Sequence, residues 1–382
     1  MTAGDAPGGG TDGGTGGRRP GGAASGPVRR LPWQALADVA AGLFRKRGLD
    51  PADARLVAEH LVRADARGLG SHGLLRLSFY LPKLDAGTMS PVTSLSAVGG
   101  VPGLPLLSAN NGVGQVAAAQ AMDRAMRAAH EHGVGALLVR HSNHFGVAQL
   151  FTLQAAETGL IGIVLTNASP AMAPTGGAER LLGTNPWSVA APRAGGAPVV
   201  VDMANTVVAR GKILSARQEG RAIPEGWATD AEGRPTTDPE AALAGMVLPM
   251  AGHKGYAVAL AVELLTGLLG GAGWLDDVHY PGNPDRVGNV THLFAAIDPD
   301  QVGGPGYAER VLDAATRIKA VRRAPGVEEV LLPGEAEARA ERDARALGVP
   351  LAPEVVALVE GYADEARILC PWPRVWAQGG AR

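Results

Sequence analysis

Apolar positions recur at helical spacing from Leu31 onward, first at Leu36, Val39 and Leu43 and then at Leu56, Val57 and Leu61, so the folded part opens with two helices. Gly48 and Pro51 mark the turn between them, and Asp50 stands where it caps a second helix whose first position is a proline. Further along, short apolar runs of strand type at 135–140 (GALLVR), 161–166 (IGIVLT), 199–203 (VVVDM) and 293–297 alternate with helical stretches at 147–158 and 256–269. Strands this apolar, separated by helices, predict an α/β core with both faces of its sheet covered. Residues 334–345, rich in Ala, Glu and Arg, predict a solvent-facing helix.

The chain has 382 residues, 46% of them hydrophobic, which suffices for a substantial core in one large unit or a few packed domains. A formal charge of -2 gives no electrostatic reason to expect nucleic acid or an anionic membrane as partner. With Cys370 the only cysteine, no intrachain disulfide is possible and a cytoplasmic protein is expected. Residues 1–30 are dominated by glycine, lack the apolar centre of a signal peptide, and are expected to be a disordered tail. The apolar stretch 257–271 is interrupted by Glu263 and falls short of the roughly 20 residues a bilayer needs, so a buried helix is expected there.

Four clusters carry candidate chemistry. If Ser71 caps a helix, His72, Arg76 and Tyr80 sit four apart on one face, and a guanidinium fork beside an imidazole and a phenol suits a carboxylate substrate. A histidine in such a first turn would feel a dipole that favours its neutral form. His141 to Gly146 (HSNHFG) follows an apolar strand, where active-site loops open; the two histidines lack the further ligands a metal site requires, and no metal is expected. Small and turn-forming residues at 166–177 and 183–186 allow close backbone approach to a ligand. Lys254, at the start of the 256–269 helix, opposes the helix dipole and is a candidate for a cofactor ribose or phosphate. No Gly-x-Gly-x-x-Gly follows a predicted strand, and Arg210, Gly211, Lys212 lack the Ser or Thr of a P-loop, so a dinucleotide here needs a frame other than the Rossmann one.

In order, the segments RADARGLGSHGLLRL, SNHFG, TNASPAMAPTGG, LLGTNP, VDMANTVVARGKI, PEGWATD with PTTDP, GHKGY and LPGE resemble the malate/L-lactate dehydrogenase family, which includes ureidoglycolate and sulfolactate dehydrogenases, diketogulonate reductase and piperideine-2-carboxylate reductases. The resemblance covers about residues 31–363. It implies a three-layer α/β/α fold with a mixed, non-Rossmann sheet, plus a helical region built from the N- and C-terminal segments. The corresponding division is a tail at 1–30, a helical segment with substrate residues at 31–90, a catalytic and NAD(P)-binding core at 91–330, and a segment at 331–382 that packs on the helical region.

The family works with NAD or NADP, usually as a homodimer with its active site near the subunit boundary. By position, His144 and His72 match its alternative acid/base histidines. Arg76 matches the carboxylate clamp, with Ser71, Tyr80, Thr184 and Asn185 on the substrate side. Ala168, Asp202, Met203, Ala204, Lys254, Pro333, Gly334 and Glu335 match cofactor contacts. Some relatives carry a polar residue at Ala168 and an acid at Ser169, so their side-chain specificity does not transfer. The implied activity is reversible hydride transfer between a small 2-hydroxy acid and its 2-oxo acid. The alternatives are reduction of cyclic 2-carboxy imines and, from a different class, dinucleotide binding without catalysis.

Overall fold

The computed structural model describes residues 27–218 and 220–374. Helices α1 (Trp33–Arg45) and α2 (Pro51–Ala66) open it as the apolar spacing predicts, and Asp50 accepts the Ala52 N–H at 2.9 Å ahead of Pro51. Together with α3 (Leu77–Asp85) they bury Leu36, Leu43, Phe44, Leu61 and Tyr80 in one core. The disordered tail expected at 1–30 lies outside the described residues up to 26. Its last two positions are corrected, because Arg29–Leu31 is a strand paired antiparallel with Val349–Leu351.

A seven-stranded mixed sheet forms the centre, in the order Ser96–Val101, Leu104–Ser108, Val134–Ser142, Val290–Ile297, Ile161–Thr166, Trp187–Ala191, Val199–Met203. Leu104–Ser108 and Val134–Ser142 run parallel, joined by the crossover helix α4 (Gly114–His132); the other neighbouring pairs are antiparallel. Phe294 stands opposite both Leu137 and Val164, and with Phe151 of α5 (Gln149–Ala156) these residues make the core beneath α4 and α5. A smaller unit follows: α6 (Arg210–Gln218), α7 (Pro239–Ala244) and a three-stranded sheet of two-residue strands, around Ile213, Ala216 and Val247.

The other face of the main sheet meets α8 (His253–Glu263) and the π-helical turn Leu264–Leu268 that continues it. Here the expected buried helix is corrected. Leu264, Leu265, Leu268 and Leu269 are 53%, 46%, 42% and 50% exposed, whereas Glu263 is fully buried. Glu263 is inside because its carboxylate accepts N–H groups from Asn185 (2.6 Å), Asn167 (3.3 Å) and the Leu275 backbone (3.1 Å). Among the described residues no helix is long and apolar enough to cross a membrane.

Helices α9 (Pro299–Gly303) and α10 (Tyr307–Ala320) follow the last strand of the sheet. Then α11 (Glu335–Leu347) and α12 (Pro353–Glu365) return to the first core, where Ala344, Val356 and Val359 pack among residues of α1 and α2.

Candidate active site

One continuous helix through Ser71 and Tyr80 is not what forms. Gly70–His72 and Leu74–Arg76 are separate 3-10 turns ahead of α3, and Gly73 between them is extended at φ -87, ψ -144. The cause is Asp65 of α2, whose buried carboxyl accepts the Leu74 N–H at 2.7 Å and fills the space beside residue 73. A Cβ at Gly73 would lie 2.1 Å from Asp65 Oδ1, so only glycine fits. Burial raises the Asp65 carboxyl to about 7, against the pull of the Leu74 N–H. His72 therefore ends a single 3-10 turn, and the helix-dipole argument for it falls away. Burial first and the Arg76 charge second lower its imidazole to about 3.

His144 reaches the same place from the loop after strand Val134–Ser142. Asn143 anchors that loop by donating to the carbonyls of Asn111 (3.1 Å) and Gly112 (2.9 Å). Gly112, Gly114 and Ala117 stand in Gly-x-Gly-x-x-Ala spacing between a strand and α4, but they form no phosphate cradle. The loop itself packs on this helix end, and a Cβ at Gly114 would lie 2.4 Å from the Asn143 carbonyl oxygen.

The two segments meet. The His72 and His144 rings stack with centroids 5.6 Å apart. The Tyr80 hydroxyl lies 2.7 Å from His144 Nδ1, the Gly146 N–H donates to the same nitrogen at 3.3 Å, and Ser71 Oγ lies 2.8 Å from His72 Nδ1. In both histidines Nδ1 is engaged within the protein, which leaves Nε2 as the outward nitrogen. Burial, then Arg76, His72 and His292, hold His144 well below its ordinary value.

The Arg76 guanidinium stacks on the Phe79 ring at 4.3 Å, and its buried Nε has no hydrogen-bond partner. Its pKa is lowered by burial, with the phenols of Tyr80 and Tyr280 acting the other way. A half-buried guanidinium that meets no carboxylate among the described residues is suited to an anionic ligand.

The remaining expected residues divide. Ala168 follows strand Ile161–Thr166, and its N–H donates to Asn185 Oδ1 at 2.9 Å. Asn185, expected on the substrate side, is fully buried, and its amide nitrogen is engaged by the Ala259 carbonyl and Glu263, so it braces the loop. Thr184 beside it is partly exposed, and its carbonyl accepts from Asn205. Asp202 ends the edge strand with its carboxyl turned to α5, accepting from Gln149 Nε2 at 3.1 Å; burial raises it to about 6, chiefly against the Gln149 hydrogen bond. Met203 is exposed and Ala204 partly so. Lys254 is exposed at the second position of α8. Pro333 accepts the Val200 N–H at 3.0 Å, and Gly334 caps α11. The Glu335 carboxylate is engaged by Lys319 (2.7 Å) and the Leu332 N–H (3.0 Å), which leaves backbone as the means by which this turn can meet a ligand.

Three residues join the picture that the motif spacing did not single out. Gln115 lies beside the Tyr80 phenol; Tyr280 packs edge-on to Phe79 at 5.5 Å; Gln149 links Arg67 to Asp202. Tyr280 and Gln149 carry no local signal of function. Gln115 directly follows Gly114, the first residue of its helix, and that position is the signal that could have found it.

A cleft of about 480 Å³ lined by Arg63, Arg67, Glu157, Glu341 and Arg345 among others contains none of the residues around His72 and His144. Among the described residues, no three His, Cys, Asp or Glu side chains gather as a ligand set for a metal.

Residues 31–360 match the protein-family model described as Malate/L-lactate dehydrogenase. The chain is 36% identical to a malate dehydrogenase of Pyrococcus horikoshii over 84% of its own length and 91% of that protein's. It is 36% identical to a ureidoglycolate dehydrogenase (NAD(+)) of Escherichia coli O157:H7, over 81% and 88% respectively. The solved sulfolactate dehydrogenase from Methanocaldococcus jannaschii superposes with a TM-score of 0.82 at 35% identity, covering 90% of this chain and 98% of that one.

Proposed function

The chain belongs to the malate/L-lactate dehydrogenase family, and on that premise we propose that it is an NAD- or NADP-dependent oxidoreductase interconverting a small 2-hydroxy acid and its 2-oxo acid. One observation carries the reading. The half-buried Arg76 guanidinium, paired with no carboxylate among the described residues, shares a single cluster with two imidazoles that burial keeps neutral.

The residues expected to hold the dinucleotide are compatible with one. Lys254 is an exposed cation at the end of a helix, Asp202 has a buried carboxyl beside the exposed Met203, and the Pro333–Gly334 backbone lies along the same sheet edge. Bound there, NAD(P) supplies the hydride donor or acceptor. Arg76 grips the substrate carboxylate in two parallel hydrogen bonds. His144, oriented through Nδ1 by Tyr80 and Gly146, exchanges a proton with the substrate oxygen at Nε2. His72, held by Ser71, orients that oxygen from the adjacent stacked ring.

We assign residues 31–90 and 331–374 to the helical part that presents Arg76, and 91–330 to the core that holds the cofactor; positions 375–382 of the C-terminal segment lie outside the described residues. The same proposal includes a homodimer. Val258, Ala261, Leu264, Leu265, Leu268 and Leu269 form an exposed apolar stripe along one helix, which a second copy of the chain would cover. A cytoplasmic setting belongs with it, in keeping with Cys370 as a free buried thiol and with a reduced nicotinamide pool as cosubstrate.

A panel of 2-oxo acids run with both NADH and NADPH tests the reading. Oxidation of the cofactor with at least one of them is expected. Turnover confined to cyclic 2-carboxy imines would transfer the assignment to an imine reductase, and cofactor binding without turnover of either class would leave a binding protein.

A further inference from the structure

Gln115 is the second residue of α4 and is fully buried, and among the described residues neither atom of its amide completes a hydrogen bond of full distance and angle. An unpaired buried amide costs about 1–3 kcal/mol, so a fold that keeps one beside its reaction centre has a reason to. Its amide is near enough to the Tyr80 phenol to lower that group's pKa, after burial, which raises it, and after the Arg76 charge, and its Nε2 is 3.7 Å from where a side chain at Gly146 would begin.

We propose that Gln115 is a positioning residue of this reaction, donating an amide N–H to the Tyr80 oxygen so that the Tyr80 hydroxyl hydrogen is directed onto His144 Nδ1. The inference rests on the dehydrogenase reading above. Two contacts set the direction. The Gly146 N–H points at His144 Nδ1 at 3.3 Å, so that nitrogen carries a lone pair. The Tyr80 oxygen, 2.7 Å from the same nitrogen, must then be the donor, and its own lone pairs face elsewhere. Gln115 is the amide in place to meet them, and as a donor it closes the chain.

The consequence is a fixed tautomer, with the His144 proton on Nε2. In the reducing direction, with a bound nicotinamide as the hydride source for the carbonyl carbon, the carbonyl π pair would move to oxygen. That oxygen takes the Nε2 hydrogen while Nδ1 takes the Tyr80 hydrogen. The phenolate left behind is disfavoured by the burial of Tyr80, an effect the Gln115 N–H and the Arg76 charge oppose; it takes the Nδ1 hydrogen back as a solvent proton reaches Nε2, which restores the starting tautomer. Oxidation of the hydroxy acid runs the same transfers backwards. At no point does an imidazolium form among Arg76, His72 and His292, the groups that face His144.

Long-range proton–nitrogen NMR on the full chain with NADH bound reads the tautomer directly. The His144 pattern of Nε2–H with an unprotonated Nδ1 is expected in the native protein, and a mixture of tautomers is expected in Gln115→Leu. Kinetically, Gln115→Leu should lower kcat about tenfold, the scale of one hydrogen bond to a partly charged oxygen, with KM for substrate and cofactor within about twofold. In a Tyr80→Phe background the same change should lower kcat by less than about twofold more, because the partner oxygen is gone. Gln115→Met serves if the leucine variant does not fold. An Nδ1–H tautomer in the native protein, an unchanged pattern in the variant, or a full additive loss in the Tyr80→Phe background overturns the proposal. A native protein that shows the Nε2–H pattern but turns over nothing in the panel overturns the dehydrogenase reading instead.

Discussion

His72 and His144 come from chain segments 72 residues apart and stack with their rings 24° from parallel, centroids 5.6 Å apart. Burial and shared positive neighbours hold both below the ordinary histidine range, His72 to about 3. Both are therefore neutral in the free protein throughout the neutral and mildly acidic range. The pH profile of kcat/KM should be flat between about pH 5 and 8 as far as histidine is concerned, because that parameter reports free-enzyme groups. A loss of kcat/KM on the acid side with an apparent pKa near 6.5 would show that these imidazoles are solvated and that the cluster does not exist as described.

Arg76 stacks on Phe79 and presents a planar fork that an ammonium cannot copy. Arg76→Lys should behave almost as badly as Arg76→Ala. Each should lower kcat/KM by roughly thirtyfold or more, about 2 kcal/mol, the scale of a charged hydrogen bond removed from a buried site. NADH affinity, followed by fluorescence titration, should stay within about twofold. A lysine variant with native kcat/KM would remove Arg76 from the carboxylate clamp.

How much of this was legible beforehand differs from residue to residue. The α1 and α2 pattern, the Asp50 cap and the strand runs could be read because each depends on neighbours within a turn or two. The break in the substrate segment could not: it is imposed by Asp65, eight residues before Gly73, through a buried carboxyl whose target is a backbone N–H. Residues 257–271 were legible as apolar but not as to which side faces inward. The glutamate goes in because Asn167 and Asn185, far away in sequence, are there to receive it. Motif spacing brought Arg76, His72, Tyr80, His144 and Asn185 to attention, while the bracing contacts of Asn185 and the place of Gln115 beside Tyr80 depend on residues distant in sequence.

Asp65 gives a stability prediction with a definite sign. Its carboxyl is raised from 3.8 to about 7 in the fold, so between those values the native state holds a proton that the unfolded chain has released. Stability from this group therefore falls as pH rises through that window and levels off above it. Asp65→Asn keeps an acceptor for the Leu74 N–H without the ionisation. Its Tm relative to the native protein should rise between pH 5 and pH 8, measured by calorimetry at matched ionic strength. A difference that is constant with pH, or that moves the other way, would mean that Asp65 is ionised and paired in the fold.

The stripe on α8 and its π turn gives the last prediction. Leucines at 264, 265, 268 and 269 face outward while Glu263 is turned in, an arrangement that a water-facing helix has no reason to keep. If a second copy covers the stripe, Leu265→Glu with Leu268→Glu places two charges in an apolar contact and should shift the protein from dimer to monomer in sedimentation velocity. The fold should survive, because neither side chain belongs to the buried cores. Because α8 also carries Lys254, loss of the dimer should weaken NADH binding severalfold even though no cofactor residue is altered. A native protein that sediments as a monomer, or a double variant that stays dimeric, would show that this stripe is not where two copies meet.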